Sequence, residues 1–83
     1  MDKAQLLELL KLKLGIATNL RDKPLEKIIE AVMTELEDNL GVSLESENAE
    51  HQMFVVDFAA FRYEGGVDMP RHLLWRLHNL KLR

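Results

Sequence analysis

The chain has 83 residues, 47% of them hydrophobic, no cysteine and a formal net charge of −3. That length allows one domain, residues 1–83, which buries only about 60–65% of its unfolded surface, so modest stability is expected and oligomerisation is a common remedy. The absence of cysteine excludes a disulfide framework, a thiolate metal site and a cysteine nucleophile.

The opening residues lack the basic–apolar–small pattern of a signal peptide, and no apolar run nears the ~18–20 residues of a membrane span. A soluble, intracellular protein without membrane association is expected. Charge is unevenly placed. Residues 1–69 hold seven Lys and Arg against fourteen Asp and Glu, whereas residues 70–83 hold four Lys and Arg and no acid. Such polarity suits head-to-tail association of copies, an acidic partner for the C-terminal end, or simply solvated faces.

The first predicted helix starts at Asp2, a good N-cap, and stops at Gly15, a good left-handed terminator. Leu6, Leu7, Leu10 and Leu14 form its stripe, and Leu9 and Leu12 widen the arc towards contacts on two sides. After a connector over 16–22, Asp22 is expected to cap a second helix, with Pro24 tolerated in its first turn. Leu25, Ile28, Ile29, Val32, Met33, Leu36 and Leu40 share one face of it. Glu26, Lys27, Glu30, Thr34, Glu37 and Asp38 share the other, and Gly41 ends it.

Residues 42–48 read as a polar loop, and Asn48 or Ser46 as the cap of a third helix running to about Glu64. This helix is apolar round most of its circumference. The exceptions are an acidic line at heptad spacing, Glu50, Asp57 and Glu64, and a basic patch of His51 and Arg62. A helix of that kind is buried on most sides, so it is the central helix or turns one face to another subunit.

Gly65 and Gly66 break it. Asp68 is expected to cap a fourth helix with Pro70 in its first turn. Leu73, Leu74, Leu77 and Leu80 form the expected core stripe, and Trp75 lies opposite, beside Arg71, His78 and Leu82. An exposed Trp among basic groups is an interface anchor; the alternative is that it packs back over the GGVD turn. The fold class is therefore all-α, a compact bundle of four helices.

No catalytic constellation emerges, and neither a cofactor nor a metal is expected. His72 and His78 are six residues apart, about 240° round a helix, so they cannot chelate one ion from one face. No HExxH or nucleophile-elbow sequence surrounds the histidines or the loop serines Ser43 and Ser46. The heptad carboxylates stand about 10 Å apart, too far for joint acid–base work.

Helices three and four could also form a helix-turn-helix presenting Arg71, His72, Trp75 and His78 to DNA, the reading of a small DNA-binding regulator. The acidic balance of the whole chain opposes it, since phosphate contacts dominate DNA affinity.

The run FRYEGGVDMPRHLLWRLHNL, residues 61–80, carries a family resemblance. An aromatic-Arg-Tyr ends a helix, a Gly/Asp-rich turn follows, then Met69-Pro70-Arg71-His72-Leu73 and Trp75-Arg76-Leu77-His78-Asn79-Leu80. With the Leu-rich opening helix ending near LGI and the amphipathic helix ending in a Gly, this resembles the small head–tail connector, or adaptor, proteins of long-tailed bacteriophages (siphoviruses). One departure is Phe61, where many relatives carry Trp.

The resemblance implies a structural subunit, not an enzyme. It would assemble as a homo-oligomeric ring, usually twelvefold, beneath the phage portal protein and extend the DNA channel. It would also offer a docking surface to a head-completion, stopper or tail protein. DNA would slide through without sequence-specific binding, which acidic surfaces suit. The implied location is the virion, with the host cytoplasm during assembly. On this reading Arg62, Tyr63, Asp68, Arg71, Trp75, Arg76 and His78 form the portal-facing or intersubunit surface. A helical adaptor of some other complex is the blander alternative.

Overall fold

A computed structural model describes residues 2–45 and 47–81. Four helices follow one another: α1 (Lys3–Leu14), α2 (Asp22–Thr34), α3 (Ala49–Tyr63) and α4 (Arg71–Lys81), with no strand among the described residues. A π-helical turn, Glu35–Asn39, prolongs α2.

The ends of α1 behave as its sequence requires. The Asp2 carboxylate accepts the Ala4 N–H at 3.0 Å. At the other end Gly15 adopts φ 74°, and the Ile16 and Gly15 N–H groups reach back to the Lys11 and Leu12 carbonyls at 2.9 and 3.3 Å. That is a Schellman ending, which satisfies two otherwise orphaned carbonyls. Leu6, Leu7 and Leu10 are buried and Leu9 and Leu14 pack partly against them as α1 meets α2 and α3, but Leu12 is 78% exposed and takes no part in that packing.

Helix α2 is not capped by Asp22. Arg21 holds the N-cap position without a side-chain bond, and Asp22 is the first helical residue. Its carboxylate instead pairs with Lys11 of α1 at 2.8 Å, which ties the two helices together. Leu25, Ile29, Val32 and Leu36 are fully buried, with Ile28, Met33 and Leu40 packed alongside. Past Thr34 the winding loosens. The Leu40 N–H bonds the Glu35 carbonyl five residues back at 3.0 Å, and the Val42 N–H reaches Leu36 at 2.8 Å. This widened ending turns at Gly41, φ 70°, and buries Val42.

The Asn48 side chain caps α3, accepting from the Glu50 and His51 N–H groups at 2.9 and 3.2 Å. Ser46, the other candidate cap, lies outside the described residues, as does Leu82. Seven residues of α3 are buried, among them Phe54, Val55, Val56, Phe58, Ala59 and Ala60. The seventh is His51, so no basic surface patch joins it to Arg62. His51 shares a face with Phe54, Val55 and Phe58, and its Nδ1 accepts the Glu45 N–H at 3.0 Å, fastening the preceding loop. Helix α3 meets α1, α2 and α4, α1 also meets α2, and α4 packs on α3 alone. The central-helix alternative therefore holds for α3.

Helix α3 closes with a second Schellman ending through Gly65, φ 88°, and Gly66. The chain then passes under the Phe61 ring: a Cβ on Gly66 would lie 2.3 Å from Phe61 Cζ, so any side chain there would require the ring to move. Helix α4 begins later than its sequence suggests. Asp68 stands exposed in the turn, and the Pro70 carbonyl takes the first bonds, from the Leu73 and Leu74 N–H groups at 3.0 Å each. Leu73, Leu77 and Leu80 are buried, but Leu74 is 50% exposed and does not belong to the core stripe. The radius of gyration of 12.1 Å matches the roughly 12 Å of a compact chain this long, so α4 lies folded back on α3.

Candidate interaction surface

The surface is built on α4, and its geometry starts with what fastens that helix. Its inner stripe of leucines lies on α3. Beside the stripe the Arg76 guanidinium reaches Asp57 on α3 at 2.6 Å and lies over the Phe54 ring, 5.4 Å from its centroid and within the ~6 Å of a cation–π contact. Lys13 of α1 meets the other Asp57 oxygen at 3.1 Å. Asp57 thus joins three helices. Burial raises its carboxyl, but the hydrogen bonds from Arg76 and Lys13, and their charges, outweigh that and hold it below the ordinary aspartate value. In the predicted acidic line Asp57 is therefore a clasp inside the chain, whereas Glu50 and Glu64 are exposed.

A second set of contacts fixes the end of α3. Arg62 Nη2 sits 3.0 Å from both oxygens of Glu35 on the π turn, with its guanidinium 5.1 Å from the Phe58 ring centre. Arg21 donates a short hydrogen bond to the Tyr63 hydroxyl. Arg62, Tyr63 and Arg76 thus carry partners within the chain and set where α3 and α4 lie.

The remaining residues of the predicted surface divide. Asp68 is exposed in the turn before α4. Arg71, Trp75 and His78 recur at helical spacing on the outer face of α4 and all three are exposed. Trp75 is 66% exposed and does not pack over the GGVD turn. Its ring stacks on His78, centroids 6.2 Å apart. Leu74 flanks it, an exposed apolar residue that the sequence reading assigned to the core. The 3.5-residue stripe through Leu73, Leu77 and Leu80 leaves Leu74 beside the outer face, and that spacing was the signal available.

Among the described residues no group of three His, Cys, Asp or Glu side chains gathers as a metal site, and no helix is long and apolar enough to cross a membrane. The described residues form an all-helical body that turns an aromatic and basic face of α4 to solvent. A family model described as phage gp6-like head-tail connector protein matches residues 4–71, and the chain belongs to that family. It is a structural component of the junction between phage head and tail, in a family of connectors rather than enzymes. No curated protein and no solved structure matches the chain. The match ends at the first residue of α4, so most of the exposed outer face of α4 lies beyond it.

Proposed function

We propose that this chain is a connector subunit that assembles as a ring of identical copies beneath the phage portal. The ring extends the channel through which DNA passes and presents its far side to the next head-completion or tail protein. Subunits gather in the host cytoplasm and end in the virion. The observation that carries this reading, beside family membership, is the outer face of α4. Trp and Arg are the residues that anchor protein interfaces, and Trp75 and Arg71 stand exposed and adjacent on one helix. Within the wider surface Arg76 fastens the helix carrying the anchors, Arg62 and Tyr63 fix the end of α3 beside it, and Asp68 lies at its entry.

Mixing the purified chain with isolated portal particles tests the reading. Native mass spectrometry and negative-stain imaging are expected to find a closed ring of copies capping the portal. A chain that stays off the portal, at any concentration and at low salt, overturns the proposal. Tight, sequence-selective DNA binding in the same preparation would turn it towards the regulator.

A further inference from the structure

The outer face of α4 needs an occupant, and charge points to a second copy of this chain. The face carries Arg71, Leu74, Trp75, His78 and Lys81, and neither basic side chain at its ends, Arg71 or Lys81, is ion-paired with a described residue. The complementary surface exists on the same molecule. Residues 28–61 contain no Lys or Arg. Their exposed carboxylates concentrate where the π turn passes into the following loop: Glu37 and Asp38 on the turn, Glu45 and Glu47 in the loop. None of these four is ion-paired among the described residues. Leu40 and Leu44, both half-buried, fall between them along the chain.

This corner is built rather than loose. The Arg62–Glu35 fork holds the π turn, and His51 holds the loop through the Glu45 N–H. A π-helical turn is rare and is frequent at functional sites. Helix α4 touches neither α2 nor the π turn within one chain, so a molecule does not satisfy the pairing by itself.

We infer that the Trp75 face of α4 docks on the acidic corner Glu37–Asp38–Glu45–Glu47 of a neighbouring copy. The two patches differ, so the contact is head-to-tail. Such a contact repeats from copy to copy and makes a ring when its rotation closes. The inference rests on the ring reading above and names the faces that join.

The lack of native cysteine allows a direct trap. One chain carries Leu74→Cys and another Ser43→Cys, both at solvent-accessible positions, and the two are mixed under mild oxidation with and without isolated portal particles. Disulfide-linked heterodimer is expected at least about tenfold above that from a control pairing with Leu12→Cys, a difference of about 1.4 kcal/mol in contact free energy. Arg71→Glu in the first chain is expected to reduce the yield to the control level. Glu37→Lys with Asp38→Lys in the second chain is expected to restore it, and raised salt to weaken it. Control-level trapping in both settings overturns the inference. If the chain still rings the portal in that case, the connector reading survives and the α4 face belongs to the portal. If wild-type chain fails to join the portal while the trap succeeds, the connector reading falls and the copy-to-copy contact stands.

Discussion

Helices α3 and α4 share an interface yet differ in how they are held. Helix α3 is apolar round most of its surface and meets three helices, and its Phe54 and Phe58 are buried completely. Helix α4 is apolar along one stripe, meets only α3, and relies on the Asp57 clasp beside that stripe. The difference teaches where the chain keeps its fold and where it keeps its contacts. Residues with partners on every side determine the body. A helix with one partnered face leaves the other open to solvent, and that is the face proposed above for assembly. The family match follows the same division, covering α1 to α3 and the turn but stopping as α4 begins.

The comparison breaks first, if it breaks, in the core. Phe58→Ala removes a fully buried ring and is expected to cost about 3–5 kcal/mol. For a chain this small that approaches the whole stability, at the low end of the roughly 5–15 kcal/mol of ordinary domains. Urea titration followed by far-UV circular dichroism is expected to find the variant largely unfolded without denaturant. Leu77→Ala, on the α4 side of the division, is expected to leave α1–α3 intact while α4 amides lose protection from hydrogen exchange. Equal, global collapse in both variants would mean that the two helices form one cooperative unit.

The clasp is the next place to press. Asp57→Asn keeps the shape of the side chain but removes the charge that Arg76 and Lys13 share. The expected loss is about 1–2 kcal/mol, a charged hydrogen bond tempered by partial exposure. Acid sharpens the point. The folded Asp57 carboxyl lies below its ordinary value of 3.8, so its stabilisation is fully present above that value and is lost as pH falls through the folded one. Nuclear magnetic resonance is expected to report α4 detaching below about pH 4 in the parent chain, with Phe58 still packed. In Asp57→Asn the α4 signals are expected to be weakened already at neutral pH and to lose this acid step. A parent chain whose α4 signals track those of α3 throughout the titration would show that the clasp does not govern docking.

What the sequence made legible follows the same line. The caps Asp2 and Asn48, the terminators Gly15 and Gly65, and the stripe of α2 were readable because each depends on near neighbours in the chain. The caps assigned to Asp22 and Asp68 were not, because capping needs an extended backbone at one residue. Position 21 takes φ −107° and ψ 8°, and Pro70 carries the first bonds of α4 instead. His51 reads as surface by its chemistry but as core by its period, and the period prevails because its ring nitrogen finds the Glu45 amide. The π turn leaves no mark in composition, and beyond it the Val42 N–H returns to the Leu36 carbonyl with both side chains buried. Of the candidate surface, the exposed recurrence of Arg71, Trp75 and His78 was visible as helical spacing. The inward engagement of Arg62 with Glu35 and of Arg76 with Asp57 depends on helices meeting across 27 and 19 residues of chain, which no local pattern records.

The smallest effect on stability separates the two regions most sharply. Trp75→Ala removes the largest side chain of α4, yet among the described aromatic groups its ring touches only His78, and it stands mostly in solvent. Exposed substitutions away from caps and buried networks change stability by no more than about 0.5 kcal/mol, so the urea midpoint and the circular dichroism spectrum are expected to stay as in the parent. Assembly is expected to respond quite differently, because an interface anchor of this kind carries 2 kcal/mol or more, on the order of a thirtyfold loss of affinity. Sedimentation of the variant with portal particles is expected to leave it in the unbound fraction at concentrations where the parent is carried down. If Trp75→Ala instead unfolds the chain, Trp75 belongs to the core and the outer face of α4 is not a docking surface. If it neither unfolds the chain nor weakens assembly, the contact lies on another face, and the exposure of this tryptophan has some cause other than docking.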